Sequence, residues 1–148
     1  MMAIYTYREW ARLTKGIFHP EIIVPSTVHV SILKACKYYG VEAKFVDIDK
    51  KTYLLKVSSV KSKITKNTIC IVLSAPDYSH GLMDPIEEIS KIAVSYDIGL
   101  HVDACLGGFL IPFNEKDKIP FGFDQWPGVT SIALDFHKYG LAAKGKEH

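Results

Sequence analysis

The sequence predicts an α/β domain built on a mainly parallel sheet. Short runs rich in Val and Ile alternate with longer segments of helical spacing along all 148 residues. The apolar runs are nearly continuous, as is typical of strands that helices cover on both faces. Because 48% of the residues are hydrophobic and 23% are charged, the chain can bury a core of its own.

Five of the apolar runs are predicted to be strands. In order they are EIIVP (21–25), KFVDI (44–48), TICIVLS (68–74), GLHVDA (99–104) and VTSIALD (129–135). Ligands of parallel sheets collect where the strands end. That rule directs attention to the segments 25–29, 74–81, 103–108 and 135–140.

Four segments between the strands are predicted to be helices: 3–15, 28–39, 53–62 and 84–96. The second ends at Gly40, a residue typical of helix ends. The fourth is the clearest, since Asp84 can cap it and Pro85 suits the first helical position. The stretch 112–128 is polar, aromatic and rich in turn residues, so we expect a long surface loop there.

Composition argues against several classes of protein. The net charge is only +2 and the lysines are scattered, which argues against a nucleic-acid surface. No apolar run approaches the roughly 20 residues of a membrane span, and no secretory signal is recognisable, so we expect a soluble chain. Cys36, Cys70 and Cys105 lie far apart and match neither a disulfide framework nor a metal motif. They suggest core residues in a reducing compartment.

Asp103 ends a strand that is otherwise apolar, where an ionised carboxylate needs a partner. Two interpretations are equally open. The carboxylate caps the following turn by accepting backbone N–H bonds, or it faces a cationic nitrogen of a ligand. Gly107 and Gly108, just beyond it, permit close approach of the backbone.

A second polar cluster follows the last predicted strand, in the sequence DFHKYGLAAKG. It contains Asp135, His137, Lys138 and Lys144. A desolvated lysine loses its proton readily and becomes a nucleophile that forms Schiff bases. Taken alone, the cluster fits solvated surface side chains better.

The Asp103 segment and the cluster around Lys138 occur together with His29. Taken alone, His29 is typical of a helix-capping or surface histidine. This combination suggests a binding site for pyridoxal 5'-phosphate. It consists of an aspartate at one strand end, a lysine preceded by histidine about thirty residues later, and an upstream histidine. That cofactor needs a lysine amine, an acid beside its pyridine nitrogen and a flat partner for its ring. We therefore expect Lys138 to hold it as a Schiff base.

The motifs HVDACLGGF and SIALDFHKYGLAAKG resemble those of the group II pyridoxal-phosphate-dependent decarboxylases. The likeness runs from KGIFHPEIIVPSTVH through APDYSHGLMDPI to the final AAKG. The sequence CLGG at 105–108 and the Lys144-Gly145 ending narrow it to the lyases of that group, which cleave phosphorylated sphingoid bases.

This resemblance implies a role for each candidate residue. Lys138 and Asp103 would be catalytic, the first as the cofactor's amine and the second as the partner of its pyridine nitrogen. The ring would lie between Ala104 and His29. His137 would contact the cofactor phosphate and Lys144 the substrate phosphate, and no metal is implied. Phe136 departs from the small hydroxyl residue usual at its position.

The resemblance also implies a fold, a reaction and a partner. The fold would be the three-layer large domain of fold type I, incomplete here, with the upstream phosphate loop and the small C-terminal domain missing from residues 1–148. The reaction would give a fatty aldehyde and phosphoethanolamine. The full-length parent would be a homodimer on the cytoplasmic side of the endoplasmic reticulum, and this chain alone would be inactive.

Three alternatives remain open. An amino-acid decarboxylase of the same group is disfavoured by Cys105 and by Lys144, which suits a phosphorylated substrate. A truncated, inactive domain that associates with a full-length partner is the second. A nucleotide-binding domain fits worst, because no glycine-rich loop follows the first strand.

Overall fold

The computed structural model describes residues 1–114 and 125–145, which form one five-stranded sheet with helices. The strands are β1 (Glu21–Pro25), β2 (Glu42–Val46), β3 (Thr68–Ser74), β4 (Gly99–Asp103) and β5 (Ser131–Ala133). Every neighbouring pair is parallel, in the order β2-β1-β3-β4-β5. The predicted α/β class and parallel sheet are confirmed.

The helices lie on both faces of the sheet and give it three layers. They are α1 (Met2–Lys15), α2 (Val30–Tyr39), α3 (Val57–Lys63) and α4 (Ile86–Tyr96). One core joins α1 and α2 to side chains such as Ile22 and Val72, and the other joins α3 and α4 to Ile23 and Ile71. Because Ile22 and Ile23 alternate along one strand, β1 supplies side chains to both cores, and its residues 22–24 are all apolar.

Helix α1 shows how sequence determines a local element here. Ile4, Tyr7 and Ala11 are buried and recur at helical spacing, so the helix has one apolar face. It ends at Gly16, whose φ of 66° is the left-handed conformation typical of helix ends. At the amino ends of the strands, the Tyr7 hydroxyl lies 2.6 Å from both Thr130 Oγ1 and Ser131 Oγ, which ties the helix to β5.

Several predicted boundaries are wrong in detail. Strand β2 begins two residues before its predicted start, because Glu42 already pairs with Glu21 of β1. It ends at Val46, whose carbonyl accepts the Ser26 N–H. The helix predicted over 53–62 begins at Val57, since Tyr53 has a φ of 58°, which no helix accommodates.

Two further predictions at chain turns need correction. Asp84 does not cap α4, because the helix begins at Ile86 after Pro85 and the Asp84 carboxylate binds elsewhere. Of the loop predicted over 112–128, the first residues belong to a short 3-10 turn, Ile111–Phe113, and the part from 115 to 124 lies outside the described residues. No helix in the described part of the chain is both long and apolar enough to cross a membrane.

Candidate active site

A cavity of about 120 Å³ opens at the carboxyl ends of the strands, where the sequence predicts a site. It is lined by residues from the ends of β1, β3 and β4 and from the turn after β5: His29, Ser74, Pro76, Tyr78, Asp103, Cys105, Leu106 and Lys138. Three of the predicted site residues, His29, Asp103 and Lys138, therefore meet in one cavity.

Asp103 is the last residue of β4 and is half-buried at the cavity wall. One of its oxygens, Oδ1, accepts a hydrogen bond of 3.1 Å from the backbone N–H of Cys105. The turn-capping interpretation is thus correct. It does not exclude a ligand, because a carboxylate has more acceptor positions than one N–H can fill and Asp103 also lines the cavity.

Lys138 lies in the turn after β5, with its Nζ 2.8 Å from Asp135 Oδ2 and its side chain 32% exposed. Partial burial lowers the pKa of its ammonium, but the interactions with Asp135 and Cys105 raise that pKa more, and the net direction is upward. The ion pair with Asp135 therefore favours the protonated amine in this arrangement, whereas a Schiff base forms from the neutral amine.

Cys105 lines the cavity together with the two predicted catalytic groups. Burial raises the pKa of its thiol, an effect that Asp103 adds to and Lys138 opposes. The sequence suggested a small core residue, which is right for the buried Cys36 and Cys70 but wrong for Cys105. Its position two residues after a strand-end aspartate was the available signal.

His29 precedes α2 and caps it, as one interpretation of the sequence held. Its Nδ1 accepts the Ser31 N–H at 3.3 Å. The imidazole ring also lies edge-on to the ring of Tyr78, with 5.4 Å between centroids and an angle of 80°. Tyr78, which the sequence did not single out, is thus placed beside a predicted cofactor contact.

Gly107 and Gly108 allow the close approach that was predicted for them. A Cβ on Gly107 would collide with the Ala75 carbonyl, and one on Gly108 would collide with the Leu134 side chain. Both glycines therefore let the turn after β4 pack directly against its neighbours, which brings Asp103 and Cys105 to the cavity.

Three predicted site residues lie outside the cavity lining among the residues described. Ala104 is fully buried in the core, His137 is half-buried next to Lys138, and Lys144 is exposed in the last turn. Phe136, the departure from the resemblance, packs its ring against Phe109 at a centroid distance of 5.2 Å.

The chain is thus an α/β protein with a cavity at the carboxyl edge of a parallel sheet, the usual position of ligand sites in such folds, and a lysine and a carboxylate line this cavity. The chain belongs to the DegT/DnrJ/EryC1/StrS aminotransferase family, whose model matches residues 13–108. The expected kind of fold and the resemblance to enzymes that use pyridoxal phosphate agree with this assignment.

Individual proteins of known name show which members of the wider family this chain is similar to. Mouse sphingosine-1-phosphate lyase 1 is 48% identical over 149 residues, which is 98% of this chain and 26% of the mouse protein. The structure of the Burkholderia pseudomallei sphingosine-1-phosphate lyase is 40% identical with a TM-score of 0.88, over 93% of this chain and 32% of that one.

A decarboxylase is also similar. The structure of Lactobacillus brevis glutamate decarboxylase is 27% identical with a TM-score of 0.79, over 93% of this chain and 33% of that one. These superpositions confirm the fold-type-I architecture. The chain spans about a quarter of the length of the mouse lyase.

Proposed function

We propose that this chain forms the lysine-bearing part of the pyridoxal-phosphate site of a carbon–carbon lyase that cleaves phosphorylated long-chain bases. One observation carries the proposal: Lys138, Asp103 and His29, from three separate elements, line a single cavity. The likeness to two sphingosine-1-phosphate lyases over nearly the whole chain supports it.

The residues present fit the cofactor. A cavity of about 120 Å³ is of the order of the roughly 150 Å³ that takes benzene, so it has room for one six-membered ring. The lining offers an amine, a carboxylate and an aromatic edge, which are the groups that a pyridine aldehyde requires.

In this proposal each side chain has one task. Lys138 would hold the cofactor through Nζ, the atom that now pairs with Asp135. The carboxylate of Asp103 would keep the ring nitrogen of the cofactor protonated, an interaction that is much stronger in a partly dry site than in water. Once bound, the cofactor supplies an electron sink for the breaking carbon–carbon bond.

Four more residues would take part. His29 would stack on one face of the cofactor ring, and Ala104 would lie against the other. His137 would contact the cofactor phosphate. Lys144, exposed in the last turn, binds the phosphate of the substrate by charge, and because it projects into solvent it can reach a ligand that enters from outside.

The choice of substrate distinguishes the proposed lyase from an amino-acid decarboxylase of the same group. The higher identity to the lyases, 40% and 48% against 27% for the glutamate decarboxylase, favours the lyase. So does Lys144, a cation suited to a substrate phosphate. The products are a fatty aldehyde and phosphoethanolamine.

We also infer that the chain is part of a large cofactor-binding domain in a homodimer. Several large apolar side chains are exposed here and would be covered in such an assembly, among them Phe113, Phe136, Tyr139 and Leu141. The buried free thiols Cys36 and Cys70 fit the cytoplasmic side of a membrane system such as the endoplasmic reticulum.

The test is a chimera in which this chain replaces the matching segment of the Burkholderia lyase. Cleavage of a phosphorylated long-chain base supports the proposal if the Lys138→Ala version of the same chimera folds and is inactive. Release of carbon dioxide from glutamate without that cleavage would establish the decarboxylase instead. A folded chimera that binds pyridoxal phosphate and does neither would refute the proposed reaction.

A further inference from the structure

The segment from Ser74 to Asp84, here called the β3–α4 loop, is closed by two hydrogen bonds between its ends. The Ser74 N–H donates to Asp84 Oδ2 at 2.7 Å, and the Asp84 N–H donates to the Ser74 carbonyl at 3.2 Å. The Asp84 side chain therefore joins the last residue of β3 to the segment just before α4. This side chain is the one that the sequence had suggested as a helix cap.

A second carboxylate organises the interior of the loop. Asp77 is 4% exposed, and its Oδ1 accepts the N–H groups of Ser79 and His80 at 2.8 and 2.7 Å. Its other oxygen accepts the Leu82 N–H at 3.3 Å. The loop thus has an internal scaffold, while Asp84 fixes its two ends to each other.

The loop forms one wall of the candidate site. Ser74, Pro76 and Tyr78 line the cavity that also contains Lys138. Tyr78 lies against His29, and His80 stacks on Tyr53 with 4.5 Å between ring centroids. Movement of the loop ends would therefore displace the cavity wall and its contact with His29.

The carboxylate of Asp84 is costly to the fold. Burial raises its pKa to about 6, with the negative charge of Asp77 adding to the rise and the hydrogen bond from Ser74 opposing it. An asparagine could accept the same N–H without a charge. A costly charged group beside a site is common where position matters more than stability.

We propose that Asp84 is a positioning residue, which holds the Ser74–Pro76–Tyr78 wall in place for the cofactor by accepting the Ser74 N–H. The identity of the ligand in this inference rests on the proposed function, whereas the geometry of the loop does not depend on that function. A charged acceptor makes this bond stronger than a neutral one would, and removing the acceptor leaves the Ser74 N–H without its partner.

The experiment compares Asp84→Asn with Asp84→Leu in the 148-residue chain. These side chains are similar in size, and only Asn accepts a hydrogen bond. Glu88→Gln, on the exposed part of α4, is the charge control. Backbone hydrogen exchange reports loop closure, and titration with pyridoxal phosphate, corrected with Lys138→Ala for binding at other lysines, reports the site.

We expect Asp84→Leu to lose exchange protection at Ser74, Ser79 and His80 while the centre of β3 stays protected. It should weaken cofactor binding about tenfold or more, with Asp84→Asn restoring it to within about threefold. Asp84→Ala replaces the Leu variant if the latter unfolds. Unchanged protection and cofactor affinity in a folded Leu or Ala variant would overturn the proposal.

Failure of the proposed function gives a different result. In that case the unaltered chain and Lys138→Ala bind pyridoxal phosphate equally, whatever Asp84 does. Hydrogen exchange then tests by itself whether Asp84 closes the loop. If the Ser74 N–H stays as protected in Asp84→Leu as in the unaltered chain, this role of Asp84 is rejected.

Discussion

The carboxyl group of Asp84 is largely withdrawn from water, so its removal should change the stability of the fold in a pH-dependent way. Its pKa rises from an ordinary 3.8 to about 6, chiefly through burial. Each pH unit between the two values is worth about 1.4 kcal/mol, which gives roughly 3 kcal/mol in all. Replacing it with Asn keeps an acceptor for the Ser74 N–H and removes the charge.

The sign follows from which state binds the proton. Between pH 3.8 and about 6 the folded chain keeps the Asp84 proton and the unfolded chain has lost it, so stability falls as the pH rises through this window. The variant avoids that loss. Asp84→Asn should therefore be about as stable as the unaltered chain near pH 4 and more stable at pH 7.5, by as much as about 3 kcal/mol.

His101 makes the comparison with the variant necessary. Burial lowers its pKa to about 4, so the folded chain prefers the neutral ring and stability rises with pH between about 4 and 6.5. This change opposes that of Asp84 over nearly the same window. The unaltered chain alone could show little pH dependence, whereas the difference between variant and parent isolates Asp84.

The measurement is denaturant unfolding of Asp84→Asn, Glu88→Gln and the unaltered chain at half-unit steps from pH 4 to 8. The difference curve for Asp84→Asn should rise through pH 4 to 6 and then level off. For Glu88→Gln it should stay within about 0.5 kcal/mol of zero, as for most surface substitutions. A flat or falling difference curve for Asp84→Asn would refute the reasoning on burial.

Three further outcomes are expected. Gly107→Ala should destabilise the fold by about 1–3 kcal/mol in denaturant unfolding, because its Cβ collides with the Ala75 carbonyl; equal stability would show that the turn can relax. Asp103→Asn in the lyase chimera should keep cofactor bound yet lower turnover about a hundredfold or more, and near-normal turnover would make Asp103 structural. Asp135→Asn should lower the pKa of Lys138, measured from the pH dependence of its acylation, and an unchanged pKa would mean that their ion pair is weak.

Much of the fold could be predicted because the signals are local. The continuous apolar runs identify β1 and β3 with their observed limits, since each strand is buried along its whole length. The prediction placed β2 two residues too late because only Val46 of this strand is buried, and the limits of the strand depend on its pairing with β1. A boundary set by a neighbouring strand leaves little trace in the segment itself.

The candidate site was predictable in part for the same reason. Asp103 and Lys138 stand out as charged residues at the ends of apolar runs, and the structure places both on one cavity. Asp84 was misassigned, because an aspartate before a proline fits a helix cap equally well. Its bond to Ser74, ten residues earlier, is visible only after β3 and α4 are packed side by side.

The central claim is that Lys138 is the residue that holds the cofactor. The most direct test treats the lyase chimera with pyridoxal phosphate and then borohydride, and locates the reduced adduct by peptide mapping. We predict a stoichiometric adduct on Lys138, which disappears in Lys138→Ala without moving to another lysine. An adduct on Lys144 with none on Lys138, in a chimera that cleaves substrate, would contradict it.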